Sequence, residues 1–507
     1  MKGLFSDIRY DLPASLVVFF VAIPLCLGIA LASGAPLFAG LIAGVVGGIV
    51  VGAASGSALG VSGPAAGLAV IVLGAIGSLG SWEVFLVAVI IAGVLQVLMG
   101  YIGLGNIAYY FPDSVIKGML TGIGLLIIIK QIPHALGAVL PPDQELNTSG
   151  GVGVLDSLRT IVERVSPGAL TISMLSLALI ITWDTLLAPR WRAFRIVQSP
   201  LAAVAFGMLA AWLMISGSIP FEIASHQMVA IPIASSVSEF FGQFSVPDFS
   251  ALARTDVYVV ALLLAVIASL ETLLCVEATD RLDPQRRITP TNRELKAQGL
   301  GNIISGLVGG LPVTQVIVRS TANITFGGRT KLSAILHGIL LALCVVAIPG
   351  VLNLIPLATL AAVLFVVGYK LAKPALFAQM YRHGWEQFVP FMITVIGIVA
   401  TDLLLGIAIG MLTGVVIVLY HNLRNPFTVE QHAPGSPEYL ITLAEEVSFL
   451  NKGRILQQLQ MVPEGSHVVI DGTRSKVVDF DVRQILRDFR VGAPGRGIQA
   501  EFRGITL

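Results

Sequence analysis

The chain has 507 residues, 55% of them hydrophobic and 12% charged, with a formal net charge of +1. A soluble domain carries roughly twice that charged fraction, so a mean hydropathy of +0.87 together with apolar runs of spanning length marks a polytopic membrane protein. The near-neutral balance excludes the basic footprint of a nucleic-acid-binding protein.

Lys2, Asp7, Arg9 and Asp11 mix both signs ahead of an apolar run too long for a signal h-region, so no cleavable signal is expected. Predicted spans begin near Leu12, Leu37, Pro64, Val84, Val115, Leu170 and Ser199. After a polar connection they begin near Val257, Gln298, Pro312, Leu332, Leu352, Phe388 and Leu404, about fourteen in all. Two are short and interrupted: residues 58–67, which hold Ser62-Gly63-Pro64, and residues 309–320, which hold Gly309-Gly310-Leu311-Pro312. A paired interruption at matching places of two halves points to a transporter's substrate site, because non-helical backbone at membrane depth survives only where protein or a cavity satisfies it.

Orientation follows from Lys and Arg. Lys2 and Arg9 put the N-terminus inside. Arg190, Arg192 and Arg195 mark one inside loop, and Arg281, Arg286, Arg287, Arg293 and Lys296 another, whereas residues 218–255 carry only Arg254. The first half therefore begins inside and ends outside, which requires an odd number of spans. Seven fits, and the second half is then inserted upside down. The expected organisation is a transmembrane domain over residues 1–425, with inverted repeats over 12–217 and 256–425. It sits in the inner membrane with both termini cytoplasmic.

Beyond Arg424 the pattern changes. Tyr439-Leu440-Ile441-Thr442-Leu443 and His467-Val468-Val469-Ile470 read as strands, and residues 454–459 and 482–489 as amphipathic helices. This predicts a small cytoplasmic α/β domain over residues 438–507, too small for much of an independent core, which is expected to lean on the membrane domain or a second protomer. Cys26, Cys275 and Cys344 lie in apolar runs without metal-ligand spacing, so buried thiols are the default.

Several motifs in order resemble the SulP anion transporters, the bacterial relatives of the animal sulfate/chloride/bicarbonate carriers. Asp11-Leu12-Pro13-Ala14 with Val21-Ala22-Ile23-Pro24 resembles the start of that family, Ser62-Gly63-Pro64 its third span and Ser269-Leu270-Glu271-Thr272-Leu273-Leu274 its eighth. Glu294-Leu295 with Gln298-Gly299-Leu300-Gly301-Asn302 resembles its ninth, Arg319-Ser320 with Ala322-Asn323 its tenth, and the tail its STAS domain. The resemblance implies a 7+7 inverted-repeat fold, core and gate domains, a homodimer and elevator-like movement of the core. Departures are informative. Leu25 stands after Pro24, and Val316 and Val318 before Arg319, where many members have polar residues, so the site should rely on backbone amides. Val478-Asp479-Phe480-Asp481-Val482 lacks the hydroxyl that some STAS loops carry, so phosphorylation there is not expected.

The candidate anion site is built from Ser62, Gly63, Pro64, Ala65 and Ala66 on the first broken segment and Thr314, Gln315, Val316, Ile317, Val318 and Arg319 on the second. A half-helix beginning at membrane depth points unpaired N–H groups and roughly half a positive charge into the cavity. Ser62 is expected to cap the first half-helix, with Pro64 at its first position and Gly63 allowing close approach of ligand. Thr314 and Gln315 would offer polar side chains, and Arg319 would raise the local positive potential. Pro24 and Leu25 would pack or gate beside the site.

Glu271, about fifteen residues into an apolar span, is the coupling candidate with Thr272. It could carry a proton with the substrate, hold a cation such as Na⁺, or pair with Arg319; Cys275 one turn later makes a poor oxygen-ligand set. Neutralising the carboxylate would promote anion binding. Asp402 is read as a helix cap, Lys130 as snorkelling to the interface, and Pro133 and His134 as lying in an exposed connection. The leading expectation is a secondary carrier of bicarbonate, sulfate or a dicarboxylate, coupled to protons or sodium. An uncoupled channel or exchanger is the alternative. No resident cofactor and no enzyme activity are expected, since no catalytic pair, metal cluster or phosphate loop is present.

Overall fold

The computed structural model describes residues 7–106, 112–138, 164–191, 194, 197–218, 221–233, 236–401, 403–424, 427–431 and 437–506. Lys2, Arg192, Arg195 and Asp402, read above for orientation or capping, lie outside them. The chain divides into two compact units, Met1–Gly410 and Met411–Leu507.

The first unit is helical. In chain order its main helices are α1 (Ile8–Ala32), α2 (Leu37–Ala54), α3 (Ala66–Leu79), α4 (Trp82–Tyr101), α5 (Asp113–Leu136), α6 (Pro167–Arg190) and α7 (Ser199–Ile215). There follow α8 (Thr255–Leu282), α9 (Thr291–Leu307), α10 (Ile317–Thr325), α11 (Leu332–Ala347), α12 (Leu357–Leu371), α13 (Pro374–Arg382) and α14 (Trp385–Ala400), with α15 (Leu403–Arg424) running across the division. Among the described residues seven helices are long and apolar enough to cross a membrane. Outward-facing Met174, Leu175 and Ile181 on α6 are the surface that hydrocarbon would solvate.

Small residues set the tightest crossings, as expected where packing rather than water drives helix association. A Cβ on Gly93 of α4 would fall 2.6 Å from the Gly299 carbonyl of α9, and one on Gly299 would fall 2.5 Å from the Gly93 carbonyl. Gly124 of α5 and Gly368 of α12 make the same reciprocal approach, at 2.6 and 2.7 Å. Asp11, buried in α1, is consumed locally: its Oδ1 accepts from Arg329 N at 2.7 Å and its Oδ2 from Thr330 Oγ1 at 2.5 Å, tying α1 to the turn before α11. One expectation is corrected. Pro133 and His134 do not lie in an exposed connection; Pro133 is buried inside α5, which continues to Leu136. Helix formers on either side and neighbours that satisfy freed carbonyls let a membrane helix pass through a proline.

Two strands interrupt the helices: β1 (Ser62–Pro64) pairs antiparallel with β2 (Val313–Gln315), Ser62 facing Gln315 and Pro64 facing Val313.

The second unit holds a four-stranded sheet in the order β3 (Phe427–Gln431), β4 (Glu438–Leu443), β6 (His467–Asp471), β8 (Gln499–Arg503). β3 runs antiparallel to β4, while β4, β6 and β8 are parallel. β5 (Glu446–Val447) pairs with β7 (Val477–Val478). Helices α16 (Lys452–Met461) and α17 (Phe480–Gly492) complete a core in which Ile455 and Leu459, then Val482 and Leu486, meet Ile441, Val468 and Ile470. The 3.6-residue spacing of those apolar positions is why these segments are helices here. Asp479 caps α17, accepting from Asp481 N at 3.2 Å. The Asp471 carboxyl is held below the ordinary carboxylate range by Thr473, whose N–H donates to it at 2.8 Å.

Candidate functional site

The two broken segments meet. At β1 and β2 the backbone leaves the helical region because Gly63-Pro64 and Leu311-Pro312 cannot sustain it, and the freed polar groups pair across the ladder. The ladder is extended by Val316 N donating to Val61 O at 3.0 Å and by Val61 N donating to Ser320 Oγ at 3.0 Å. Asn323 Nδ2 adds a bond to Leu59 O at 3.0 Å.

A polar stripe on α9 clamps this ladder from behind. Residues Glu294, Gln298 and Asn302, spaced by four, share one helix face. Gln298 Nε2 donates to Ser62 Oγ at 2.8 Å and to Glu294 Oε1 at 3.0 Å. Asn302 grips both backbone groups of Val313: Val313 N donates to Oδ1 at 2.6 Å and Nδ2 donates to Val313 O at 3.1 Å. Gln96 of α4 accepts from Asn302 Nδ2 at 2.6 Å and donates to Ser269 Oγ of α8 at 3.2 Å.

From this ladder the chain re-enters helix at Ala66 and Ile317. The residues before them, Ala65 (φ −110, ψ 136) and Val316 (φ −122, ψ 127), are extended and provide no side-chain cap. The first-turn N–H groups are therefore left to other partners. Between the two starts lies a cavity of about 240 Å³. Glu271 reaches it from α8 with its carboxylate packed against Gly67 in the first turn of α3, and its Oε2 has no hydrogen-bond partner among the described residues. A Cβ on Gly67 would sit 2.5 Å from Glu271 Oε1, so this close approach needs glycine. One turn along α8, Cys275 lines the same cavity as Ile317, the first residue of α10.

Arg319 is 1% exposed. Its Nη2 donates to Cys26 Sγ of α1 at 3.2 Å, while Nε and Nη1 have no hydrogen-bond partner among the described residues. Its guanidinium fills the space that a side chain on Gly63 would need. His337 of α11, buried with Nδ1 on Ala334 O at 2.9 Å, lies within its electrostatic reach.

Pro64, Ala66, Val316, Ile317, Val318 and Arg319 line the cavity, with Leu25 and Glu271 opposite. Ser62, Gly63, Ala65, Thr314, Gln315, Thr272 and Pro24 do not. Ser62 does not cap α3, because its hydroxyl is turned back to Gln298; Pro64 ends β1 instead of opening the helix. Gly63 makes room for Arg319 rather than for a ligand. Thr314 is fully buried. Gln315 donates backward, its Nε2 to Thr279 Oγ1 at 3.0 Å and its N to Thr272 Oγ1 at 3.4 Å, so the Thr272 hydroxyl holds a strand. Glu271 and Arg319 form no ion pair; each has another neighbour. Sequence reasoning missed Gly67 as the seat of Glu271 and Cys26 as the partner of Arg319. A glycine in the first turn of a half-helix was the available signal for the former. Nothing local marks the latter, whose partner is 293 positions away.

A sequence model of the sulfate permease family matches residues 8–394. The bicarbonate transporter BicA of Picosynechococcus sp. is 25% identical over 423 residues, covering 82% of this chain and 71% of that protein. The solved transmembrane domain of a cyanobacterial BicA superposes with a TM-score of 0.66 at 23% identity, over 81% of this chain and 98% of that one. The overall structure of SLC26A9 superposes with a TM-score of 0.79 at 16% identity, over the whole of this chain and 86% of that one. Those two likenesses are of fold.

Proposed function

The chain belongs to the sulfate permease family, whose members are membrane anion carriers rather than enzymes, and on that premise we propose that it carries a small monoanion with a planar carboxylate-type head, bicarbonate or an organic carboxylate, in symport with a proton. The observation that carries this reading is the cavity between the uncapped starts of α3 and α10, with Arg319 on one side and Glu271 on the other. Two helix N-termini attract about one unit of negative charge between them. Sulfate or a dicarboxylate would bring a second charge against Glu271. The name of the BicA relative supports bicarbonate.

Glu271 serves as the coupling group. Its carboxylate is held against Gly67 in the first turn of α3, where an incoming anion would meet the free N–H groups. Protonation weakens that hold and removes a like charge beside the substrate. Sodium is less well served: Cys275 is the neighbour one turn on, and Thr272 is turned to Gln315. In this reading the membrane part is a 7+7 inverted repeat over residues 12–217 and 256–425, α3 and α10 being spans three and ten. The part bearing them moves as an elevator in a homodimer, both termini are cytoplasmic, and residues 438–507 form a STAS domain.

The test is uptake into proteoliposomes of labelled bicarbonate, sulfate and fumarate under imposed proton or sodium gradients. Gradient-driven uptake lost in Glu271→Gln while anion exchange persists is expected. Sodium-driven uptake that survives Glu271→Gln overturns the proton assignment, and flux indifferent to both gradients favours the channel or exchanger.

A further inference from the structure

The cavity is larger and more apolar than a bare inorganic anion requires. Its polar groups are few: the first turns of α3 and α10, Glu271, the Cys275 thiol, and Arg319, whose buried Nε and Nη1 have no hydrogen-bond partner among the described residues. The other walls are hydrocarbon. Leu25 and Ile29 come from α1, Leu120 from α5, Val367 and Leu371 from α12, and Leu274 from α8. Among the described residues no Ser, Thr, Asn, Gln, Lys or His contributes to the lining. In about 240 Å³ the four heavy atoms of bicarbonate would fill only part of the space. A strongly hydrated dianion would exchange its water for apolar contact, and uncompensated polar burial is costly. An anion with a charged head and a hydrocarbon body is satisfied at both ends, the usual logic of small-molecule sites with apolar walls and a few fixed polar groups.

Resting on the carrier reading above, we propose that the preferred cargo is a monocarboxylate with a short apolar tail. Its carboxylate lies at the paired helix starts beside Arg319, and its tail lies against Leu25, Ile29, Leu120 and Leu371. The carboxylate displaces Glu271 from Gly67, and the tail adds affinity that bicarbonate cannot.

The experiment is calorimetric titration of the full chain in lipid nanodiscs with acetate, propionate and butyrate, and with bicarbonate and sulfate in the same buffer. The dissociation constant should fall about fourfold with each added methylene, the value of one buried CH₂, and sulfate should bind more weakly than acetate. Leu120→Asn, which wets the tail wall, should flatten the series. Val316→Trp, which fills the cavity, should remove binding of all three; its unfolding temperature shows whether it is folded. A flat series with bicarbonate bound, and lost in Val316→Trp, overturns the tail proposal and leaves the carrier reading intact. A chain-length gain that survives in folded Val316→Trp is partition into lipid and also overturns it. Absence of binding and uptake for every anion overturns both.

Discussion

α3 and α10 leave the same two-stranded ladder, yet α3 is 14 residues long and almost wholly apolar, while α10 is nine residues long with Arg319, Ser320 and Asn323 buried on one face. Both begin without a cap. At α3 the dipole end meets a carboxylate carried by α8; at α10 it lies beside a thiol, with a guanidinium in the first turn. One backbone device is thus dressed with opposite charge. The positive end of α3 is offset when no substrate is present, and that of α10 is reinforced. On the carrier reading proposed above, an anion would be drawn first to the α10 side and complete its site by displacing Glu271.

The largest effect comes from breaking the ladder that makes the two ends comparable. Asn302→Ala leaves Val313 N and O without their partner in a buried setting. Each orphaned group costs about 1–3 kcal/mol, so the unfolding temperature of the full chain should drop sharply and uptake should go with it. An unchanged unfolding temperature would show that the clamp is dispensable.

Next, Arg319→Ala makes α10 resemble α3 in charge. Hydrogen bonds to charged groups contribute about 1.5–3 kcal/mol, so half-saturation of uptake should rise roughly 10–150-fold. Unaltered concentration dependence would remove Arg319 from the site.

A smaller effect is expected from Gly67→Ala, which sharpens the other side of the comparison. The new Cβ would fall 2.5 Å from Glu271 Oε1 and push the carboxylate off α3. Proton-driven uptake should fall about tenfold while exchange is spared, because the carboxylate loses its seat at the helix start, an effect of about the size of one charge-assisted interaction. Adding Glu271→Gln should then change little, since the two residues act through one contact. Additive losses in the double variant would show that Gly67 and Glu271 work separately.

These contrasts also mark what the sequence could and could not reveal. The breaks at Ser62-Gly63-Pro64 and at Gly309 to Pro312 were legible because Gly and Pro are local rules. Glu271 and Arg319 were legible because charge at membrane depth is rare. The direction of each side chain was not. Ser62 looked like a cap, but a cap must sit one residue before the first turn, and β1 places it four before Ala66. The i, i+4, i+8 stripe of Glu294, Gln298 and Asn302 was visible as a motif, but its purpose required knowing that α9 lies behind the ladder. Pro133 misled because the breaker rule describes helices in water, whereas α5 is enclosed by other helices.

The smallest effect concerns the pair that no pattern announced. Cys26 Sγ takes one donor of Arg319 at 3.2 Å, and sulfur is a weak acceptor. It keeps the guanidinium in place without competing strongly against an incoming anion. A hydroxyl accepts better, so Cys26→Ser should hold Arg319 back and raise half-saturation twofold to threefold, about 0.5 kcal/mol, without lowering the unfolding temperature. Gly44 explains why the exchange is tolerable: its missing side chain, which would sit 2.7 Å from Sγ, leaves Cys26 room to settle. If half-saturation stays fixed, the thiol only fills space. If it falls, Arg319 reaches the anion better when more firmly held, and the loose-partner reasoning is reversed.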